Sequence, residues 1–297
     1  MAKIVFFGTP EIAVTPLRRL IGDHHDVVLV VTGADKRRGR GSLKSPSPVK
    51  EAAGEIGIEV TSSIEDVRNT SADLGVVVAF GRLIPADLLN SVPMLNLHFS
   101  ALPRWRGAAP LERAILAGDK TTAVCVMEVA EQLDAGGIYA SREVTIGDDE
   151  YLSDLRNRMV EIGSSLLSEV LREGTAGLLE PRPQVGEVTY AHKLTREELE
   201  IRWDRSTDEV MRTVCLEQAW TRFRSKRLKV LGARRLDEPI DSLARAGEIR
   251  VEARECLVLC GDGILALERV QPANGRVVSA KDWIHGARPV SGELLGT

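Results

Sequence analysis

Short apolar runs closed by glycine or a polar turn recur through the first half of the chain. KIVFFG (3–8), DVVLVVTG (26–33), LGVVVAFG (74–81), MLNLHF (94–99) and AVCVMEV (123–129) are continuous and rich in β-branched residues, as strands buried on both faces are. Between them the spacing changes to a helical one: Leu111, Ile115 and Leu116 mark one segment, and Leu155, Met159, Ile162, Leu166 and Val170 mark another. After the first run, Thr9-Pro10-Glu11 reads as a helix opening, with Thr9 as N-cap and Pro10 at the first helical position. Buried strands alternating with helices predict a parallel sheet covered on both faces, a Rossmann-like α/β domain. In such sheets ligands bind outside the carboxyl ends of the strands.

This pattern stops near residue 175. EPRPQVGEVTYAHKL (180–194) is proline-rich and polar with no period, as a linker is. Beyond it a short helix from Thr207 to Cys215 precedes brief strands around 228–233, 248–251, 256–260 and 264–270, separated by Gly and Asp turns. These read as a small β-barrel or sandwich. The expected division is therefore an α/β domain at 1–179, a linker at 180–200 and a β domain at 201–297, which suits a chain of 297 residues.

Composition narrows the class. With 43% hydrophobic and 28% charged residues, and no apolar stretch near the roughly 20 needed to span a bilayer, a soluble protein without a membrane segment is expected. The opening Met1-Ala2-Lys3 and four apolar residues lack the core of a secretory signal, so a cytoplasmic location is expected. The four cysteines, Cys125, Cys215, Cys256 and Cys260, stand singly in apolar runs rather than at metal-ligand spacing, and core packing accounts for them. The net charge of −4 argues against a surface that binds nucleic acid everywhere. Residues 1–190 hold 20 basic and 26 acidic groups and residues 191–297 hold 19 and 17, so local patches must carry any polyanion affinity.

The candidate chemistry lies at the end of the fourth run. In a strand, Asn96 and His98 point to the same face. An amide and an imidazole converging on one point form a donor pair for a carbonyl oxygen that becomes negative during nucleophilic attack. A histidine used this way takes a carboxylate partner to fix its tautomer, and Asp134 in EQLDAGGIY (131–139) follows the next strand, where it is expected to reach the same edge of the sheet. Turn chemistry is the plainer explanation of an Asp-Ala-Gly-Gly sequence. For Arg104 and Arg106, substrate contact competes with cations bracing a turn by stacking on Trp105. ADKRRGRGSLKSPSPVK (34–50) is long for a connection after such a strand, and a cationic loop that meets nucleic-acid phosphates accounts for its length. TRFRSKRLK (221–229) adds five positive charges to the small domain.

Asn96-x-His98, SALPRWRGAAP and LDAG around Asp134 together resemble the signature of the formyltransferases that use formyltetrahydrofolate. IVFFGTPEIAV, RGRGSLKSPSPVK, VVVAFG, RAILAGDKTTAV, RLKV, CGDG and VQPANGRVVSAKDWIHGAR extend the resemblance, to the methionyl-tRNA formyltransferases, over nearly the whole chain. The resemblance implies a Rossmann-like formyl-transfer domain followed by a C-terminal, OB-like β-barrel, with Asn96, His98 and Asp134 as catalytic residues. It implies 10-formyltetrahydrofolate as co-substrate, no metal, and initiator methionyl-tRNA as partner of a monomer. The folate is expected near Val78, Phe80, Gly81, Arg82, Ser100, Leu102 and Pro103. The tRNA is expected at Arg37, Arg38, Arg40 and Lys44, with Arg40 matching the family's key arginine, and at Arg222, Arg224, Lys226 and Arg227.

The match has departures. CLEQAWT (215–221) stands where a Pro-Gly-Ala turn is common, Gly137 where proline is, and His192 where the linker has another proline; Ala123, Cys125 and Gln132 also differ. Glycine at 137 is expected to loosen the Asp134 loop and slow turnover. An N-formyltransferase of amino sugar nucleotides, a folate-deformylating hydrolase and a weakly catalytic tRNA-binding paralogue are the competing readings.

Overall fold

The computed structural model describes residues 2–37, 44–174, 180–237 and 245–296. They form two compact units, Met1–Leu111 with Thr121–Thr145 and Arg156–His192, and Glu112–Lys120 with Ile146–Leu155 and Lys193–Thr297. Among the described residues no helix is long and apolar enough to cross a membrane.

The first unit is built on a seven-stranded sheet. In chain order its strands are β1 (Lys3–Gly8), β2 (Asp26–Val31), β3 (Val60–Thr61), β4 (Leu74–Val78), β5 (Met94–His98), β6 (Thr121–Glu128) and β7 (Ile138–Thr145), arranged β7-β6-β5-β4-β1-β2-β3. From Ile4 to Phe7 every β1 residue is 0% exposed, so this strand takes the interior of the sheet. β1 to β5 are mutually parallel, as expected. β6 is not: it runs antiparallel to both β5 and β7, and the sheet is mixed. The apolar pattern could not reveal this, because β6 is buried on both faces from Thr122 to Met127 and looks like a parallel strand whichever way it runs.

The start of the first helix also differs from expectation. Residues Glu11–Ala13 form one 3₁₀ turn and α1 (Val14–Gly22) follows, while the Thr9 hydroxyl accepts from the Gly33 amide at 3.1 Å instead of capping a helix. α2 (Pro48–Ile56) is capped by Ser47, whose hydroxyl accepts from Lys50 N at 3.0 Å. α3 (Ala86–Ser91) and α4 (Pro110–Ala117) flank β5 in sequence, and α5 (Leu152–Gly174) carries the predicted apolar stripe. At Gly163, α5 comes so close to the sheet that an added Cβ would lie 2.9 Å from Val124 and 3.1 Å from Leu97. Leu97 thus faces α5, which leaves Asn96 and His98 to the other face of β5.

The second unit contains the antiparallel strands β8 (Trp220–Phe223), β9 (Lys226–Leu236), β10 (Ile249–Glu252), β11 (Glu255–Leu259) and β12 (Ile264–Pro272), ordered β8-β9-β12-β11-β10, with β13 (Val278–Ser279) paired to β12. The two edges meet through the chain's last residues. Phe223 bridges Leu295, Glu248 bridges Leu294, and Gly296 N donates to Arg222 O at 2.9 Å. This closure makes the sheet a barrel and removes its edges. α6 (Thr207–Cys215) opens with a Ser206/Glu209 capping box, and α7 (Ala280–Ala287) sets Trp283 edge-on against Phe223 with centroids 5.0 Å apart.

Phe7 joins Val5, Leu29, Val31, Val77 and Met94 in the core and meets Phe80 edge-on, with centroids 5.4 Å apart. Phe7→Ala is expected to lower the unfolding free energy by about 3–5 kcal/mol, read from urea denaturation.

Candidate active site

β5 ends in the interior of the sheet, and Asn96 and His98 emerge side by side from one face. Asp134 does not reach them by leaving the same edge. Because β6 is antiparallel, its last residue, Glu128, pairs with Leu95 near the start of β5, while His98 pairs with Cys125. The chain from Val129 therefore doubles back over about 10 Å to bring Asp134 to the His98 end. Two glycines permit this close passage. A Cβ at Gly136 would lie 2.1 Å from Glu128 O, and one at Gly137 would lie 2.7 Å from the Pro181 Cβ. Gly137 is pinned rather than loose, since its carbonyl accepts from Glu128 N at 2.8 Å. Asp134 itself adopts φ 47°, a left-handed conformation uncommon outside glycine, which aspartate tolerates better than most side chains.

The three side chains converge. Asn96 Nδ2 donates to Asp134 Oδ1 at 3.4 Å, and His98 Nδ1 lies 3.7 Å from Asp134 Oδ2. Gly107 N donates to the same Oδ2 at 2.8 Å. The His98 and Asp134 side chains are 7% and 12% exposed, so they interact with little water between them. His98 Nε2 lies 3.1 Å from Trp105 O; a carbonyl only accepts, so this nitrogen carries a proton. An amide donor, an imidazole donor and a carboxylate acceptor within one small volume can together bind an oxygen that gains negative charge and handle a proton released beside it.

The turn after β5 is held by its own polar groups. The Ser100 hydroxyl donates to Arg104 O at 2.7 Å, Leu102 N donates to Ser100 O at 3.0 Å, and Arg104 lies 4.5 Å over the Trp105 ring. Arg106 is turned inward and is 7% exposed, with Nε and Nη2 donating to Gln184 Oε1 at 3.1 and 2.7 Å. Gln184 Nε2 donates to Asp134 O and Gly136 O, each at 2.8 Å. Arg106–Gly107 pairs in parallel with Tyr190–Ala191, and Trp105 N donates to Thr189 Oγ1 at 2.9 Å. The aperiodic 180–192 segment, expected as linker, thus lines the site. Gln184 and Thr189 were missed because a stretch without strand or helix periodicity gives no signal of what it touches.

The chain matches the family described as Formyl transferase over residues 2–171, and its C-terminal domain over residues 193–288. The chain belongs to the formyl transferase family. It is 36% identical to the methionyl-tRNA formyltransferase of a Sulfurihydrogenibium species, with 98% of this chain and 99% of that one aligned, and 39% identical to that of Corynebacterium aurimucosum, covering 96% and 94%. Among solved structures, an N-formyltransferase from Helicobacter canadensis, in complex with folinic acid and dTDP-3-aminofucose, superposes with a TM-score of 0.69 at 19% identity, covering 90% of this chain and 99% of that one. Methionyl-tRNA formyltransferase from Clostridium thermocellum superposes with a TM-score of 0.59 at 16% identity, covering 79% and 93%.

Around the Asn96–His98–Asp134 cluster, the residues expected to meet folate fall in two places. Val78 and Phe80 are buried at the end of β4, after which Ala79 and Gly81 adopt φ 47° and 72° and swing the exposed Gly81 and Arg82 outward. Arg82 Nη1 donates to Ser62 O at 2.7 Å. Ser100, Leu102 and Pro103 are packed inside the turn after β5.

The expected tRNA residues are also dispersed. Arg38 and Arg40 lie outside the described residues. Arg37 and Lys44 sit opposite each other on a two-residue ribbon, Lys36–Arg37 with Lys44–Ser45, and Lys44 is exposed. On the barrel, Arg224 is held by Glu293 at 2.8 and 2.9 Å and by the carbonyls of Ala287 and Arg288. Lys226 is exposed on β9, while Arg222 and Arg227, together with Arg196, lie 5.0–5.8 Å from the Trp220 ring centre. Among the described residues none of these three arginines forms a salt bridge. Arg196 was missed by sequence reasoning because it stands with Lys193 just before Glu197 and Glu198, in a stretch of mixed charge.

Cys125 lies beside the site, its Sγ 3.2 Å from Ser100 O, and burial pushes its thiol up to about 11. Burial pushes Cys215, Cys256 and Cys260 up to about 12. A raised thiol pKa leaves little thiolate at pH 8. A chromogenic disulfide reagent at that pH is therefore expected to label none of the four in the folded protein and all four after unfolding.

Proposed function

We propose that the chain transfers the formyl group of 10-formyltetrahydrofolate to the α-amine of methionine esterified to initiator tRNA, for translation initiation. The observation that carries this reading is the meeting of Asn96, His98 and Asp134 on a chain similar along its length to methionyl-tRNA formyltransferases. As the amine attacks the formyl carbon, the Asn96 amide and the His98 Nε2–H, turned from Trp105 O, stabilise the oxygen on which negative charge develops. Collapse of the adduct then breaks the bond from the formyl carbon to the folate N10, which takes up a proton and leaves as tetrahydrofolate. Asp134 keeps His98 oriented and, through a water, receives the proton that the amine gives up. The folate lies against the end of β4, around Val78, Phe80, Gly81 and Arg82, and against the Ser100–Pro103 turn. Two features support that fit: a loop turned outward by two left-handed residues, and a polar site next to it.

In this reading the sheet domain, with residues 180–192 against its site, carries the transfer chemistry, and residues 201–297 carry part of the tRNA surface. The loop with Arg37, Arg38, Arg40 and Lys44 meets the acceptor stem. On the barrel, Arg222, Lys226 and Arg227 contribute backbone affinity, with Arg196 beside them and Arg224 at its edge.

Mass detection of formylmethionine on charged tRNA, after incubation with 10-formyltetrahydrofolate, tests the reaction, and a parallel assay with an amino sugar nucleotide tests the alternative acceptor. His98→Ala is expected to reduce the rate about 10²- to 10³-fold; a wild-type rate would remove His98 from the mechanism. Arg40→Ala is expected to raise KM for methionyl-tRNA about tenfold and reduce the salt slope by about one, with KM for folate unchanged.

A further inference from the structure

Arg106 is a buried cation that pairs with no carboxylate among the described residues: its Nε and Nη2 both donate to Gln184 Oε1. A charge held in so little water needs an acceptor, and here the acceptor is a neutral amide. The other end of that amide points at the loop carrying Asp134, where Nε2 donates to the carbonyls of residues 134 and 136. Arg106 is in turn followed by Gly107, whose N–H holds the Asp134 carboxylate at 2.8 Å. The result is a closed ring, running from the Asp134 carboxylate to Gly107, to Arg106, to Gln184 and back to the Asp134 carbonyl.

We infer that Gln184 is a positioning residue for the transfer reaction: it ties the Arg106 turn to the Asp134 loop and thereby sets where the Asp134 carboxylate meets His98 and Asn96. This rests on the formyl-transfer reading of the site. The loop needs such a tie for physical reasons. It starts at the far end of β5, holds Asp134 at φ 47°, and passes through Gly136 and Gly137, which offer no side chains for packing. The two held carbonyls fix the Asp134–Ala135 and Gly136–Gly137 peptide planes, and the first of these constrains the direction in which the Asp134 side chain leaves the backbone.

The chemistry of the position selects an amide. The residue must accept from a guanidinium and donate to two carbonyls at once. Glutamate offers only acceptors to Asp134 O and Gly136 O, lysine offers only donors to Arg106, and asparagine is shorter by one methylene.

The test is steady-state kinetics of the full chain with 10-formyltetrahydrofolate and methionyl-tRNA, each variant assayed well below its own melting midpoint. Gln184→Glu keeps the contact to Arg106 and loses both donations to the loop, and Gln184→Asn retracts both ends together. Each is expected to lower kcat about 10- to 100-fold, the scale of an ångström's misplacement, with both KM values within about twofold. In an Asp134→Asn background the same Gln184→Glu change is expected to cost less than about twofold, because it acts through Asp134.

If Asp134→Asn is slow while both Gln184 variants turn over at the wild-type rate, the inference falls and the site reading stands. An equal loss from Gln184→Glu in both backgrounds overturns it too, as the mark of a merely structural role. If Asp134→Asn retains the wild-type rate, the reading of the site falls and takes the inference with it.

Discussion

The site depends on holding one carboxylate where the sheet does not naturally deliver it. Asn96 and His98 come together without further help, since residues two apart on a strand share a face. Asp134 has no such help. Its loop leaves the antiparallel β6 beside Leu95, at the opposite end of β5 from His98, and must return across the sheet. That return brings Gly136 against the Glu128 carbonyl, forces Asp134 into a left-handed conformation, and leaves a set of backbone groups to be satisfied in a crowded place. Gln184 and Arg182 satisfy them, while Gly107 N donates to the Asp134 carboxylate itself. A buried polar group without a partner costs roughly 1–3 kcal/mol, so these bonds maintain the fold of the loop as well as its aim.

How much of this was legible in the sequence follows from where periodicity exists. β1 to β5 were readable because buried parallel strands are continuous apolar runs, and the pairing of Asn96 with His98 was readable because a strand alternates. The direction of β6 was not, since a strand buried on both faces has the same pattern either way. Thr9 illustrates a local signal overridden by tertiary contact: a threonine before proline looks like a cap, but its hydroxyl is taken by Gly33 from the next strand's end. The closing of the barrel by Leu294 and Leu295 was hidden for another reason. A terminal segment that makes single bridges to two strands has no length over which a pattern can develop.

Residues 180–192 show the same limit in its sharpest form. Proline and polar residues without a period indicate an irregular path, and irregular paths are where binding residues gather once a rigid scaffold supports them. Pro181 closes on Gly137, Arg182 bridges Ile138, Gln184 takes two carbonyls of the Asp134 loop, and Thr189 holds Trp105. The departure at Gly137 takes its meaning from these contacts. Read alone, glycine for proline adds freedom; in place, the absence of a side chain lets Pro181 approach, and the backbone bond to Glu128 restrains the residue.

The barrel raises a matter of charge. With a net charge of −4, polyanion affinity must come from cations that the protein itself does not neutralise. Proximity in sequence is a poor guide to which these are. Arg222, Arg224 and Arg227 stand within six residues, yet Arg224 spends its fork on Glu293 and two carbonyls, as a brace between the β8–β9 turn and the segment after α7. Arg222 and Arg227 instead share the Trp220 ring with Arg196, which comes from beyond the barrel strands. An indole face offsets part of the repulsion among guanidinium groups without cancelling their charge. Among the described residues these three cations form no salt bridge, whereas the Arg224 fork is filled by Glu293 and contributes mainly to stability.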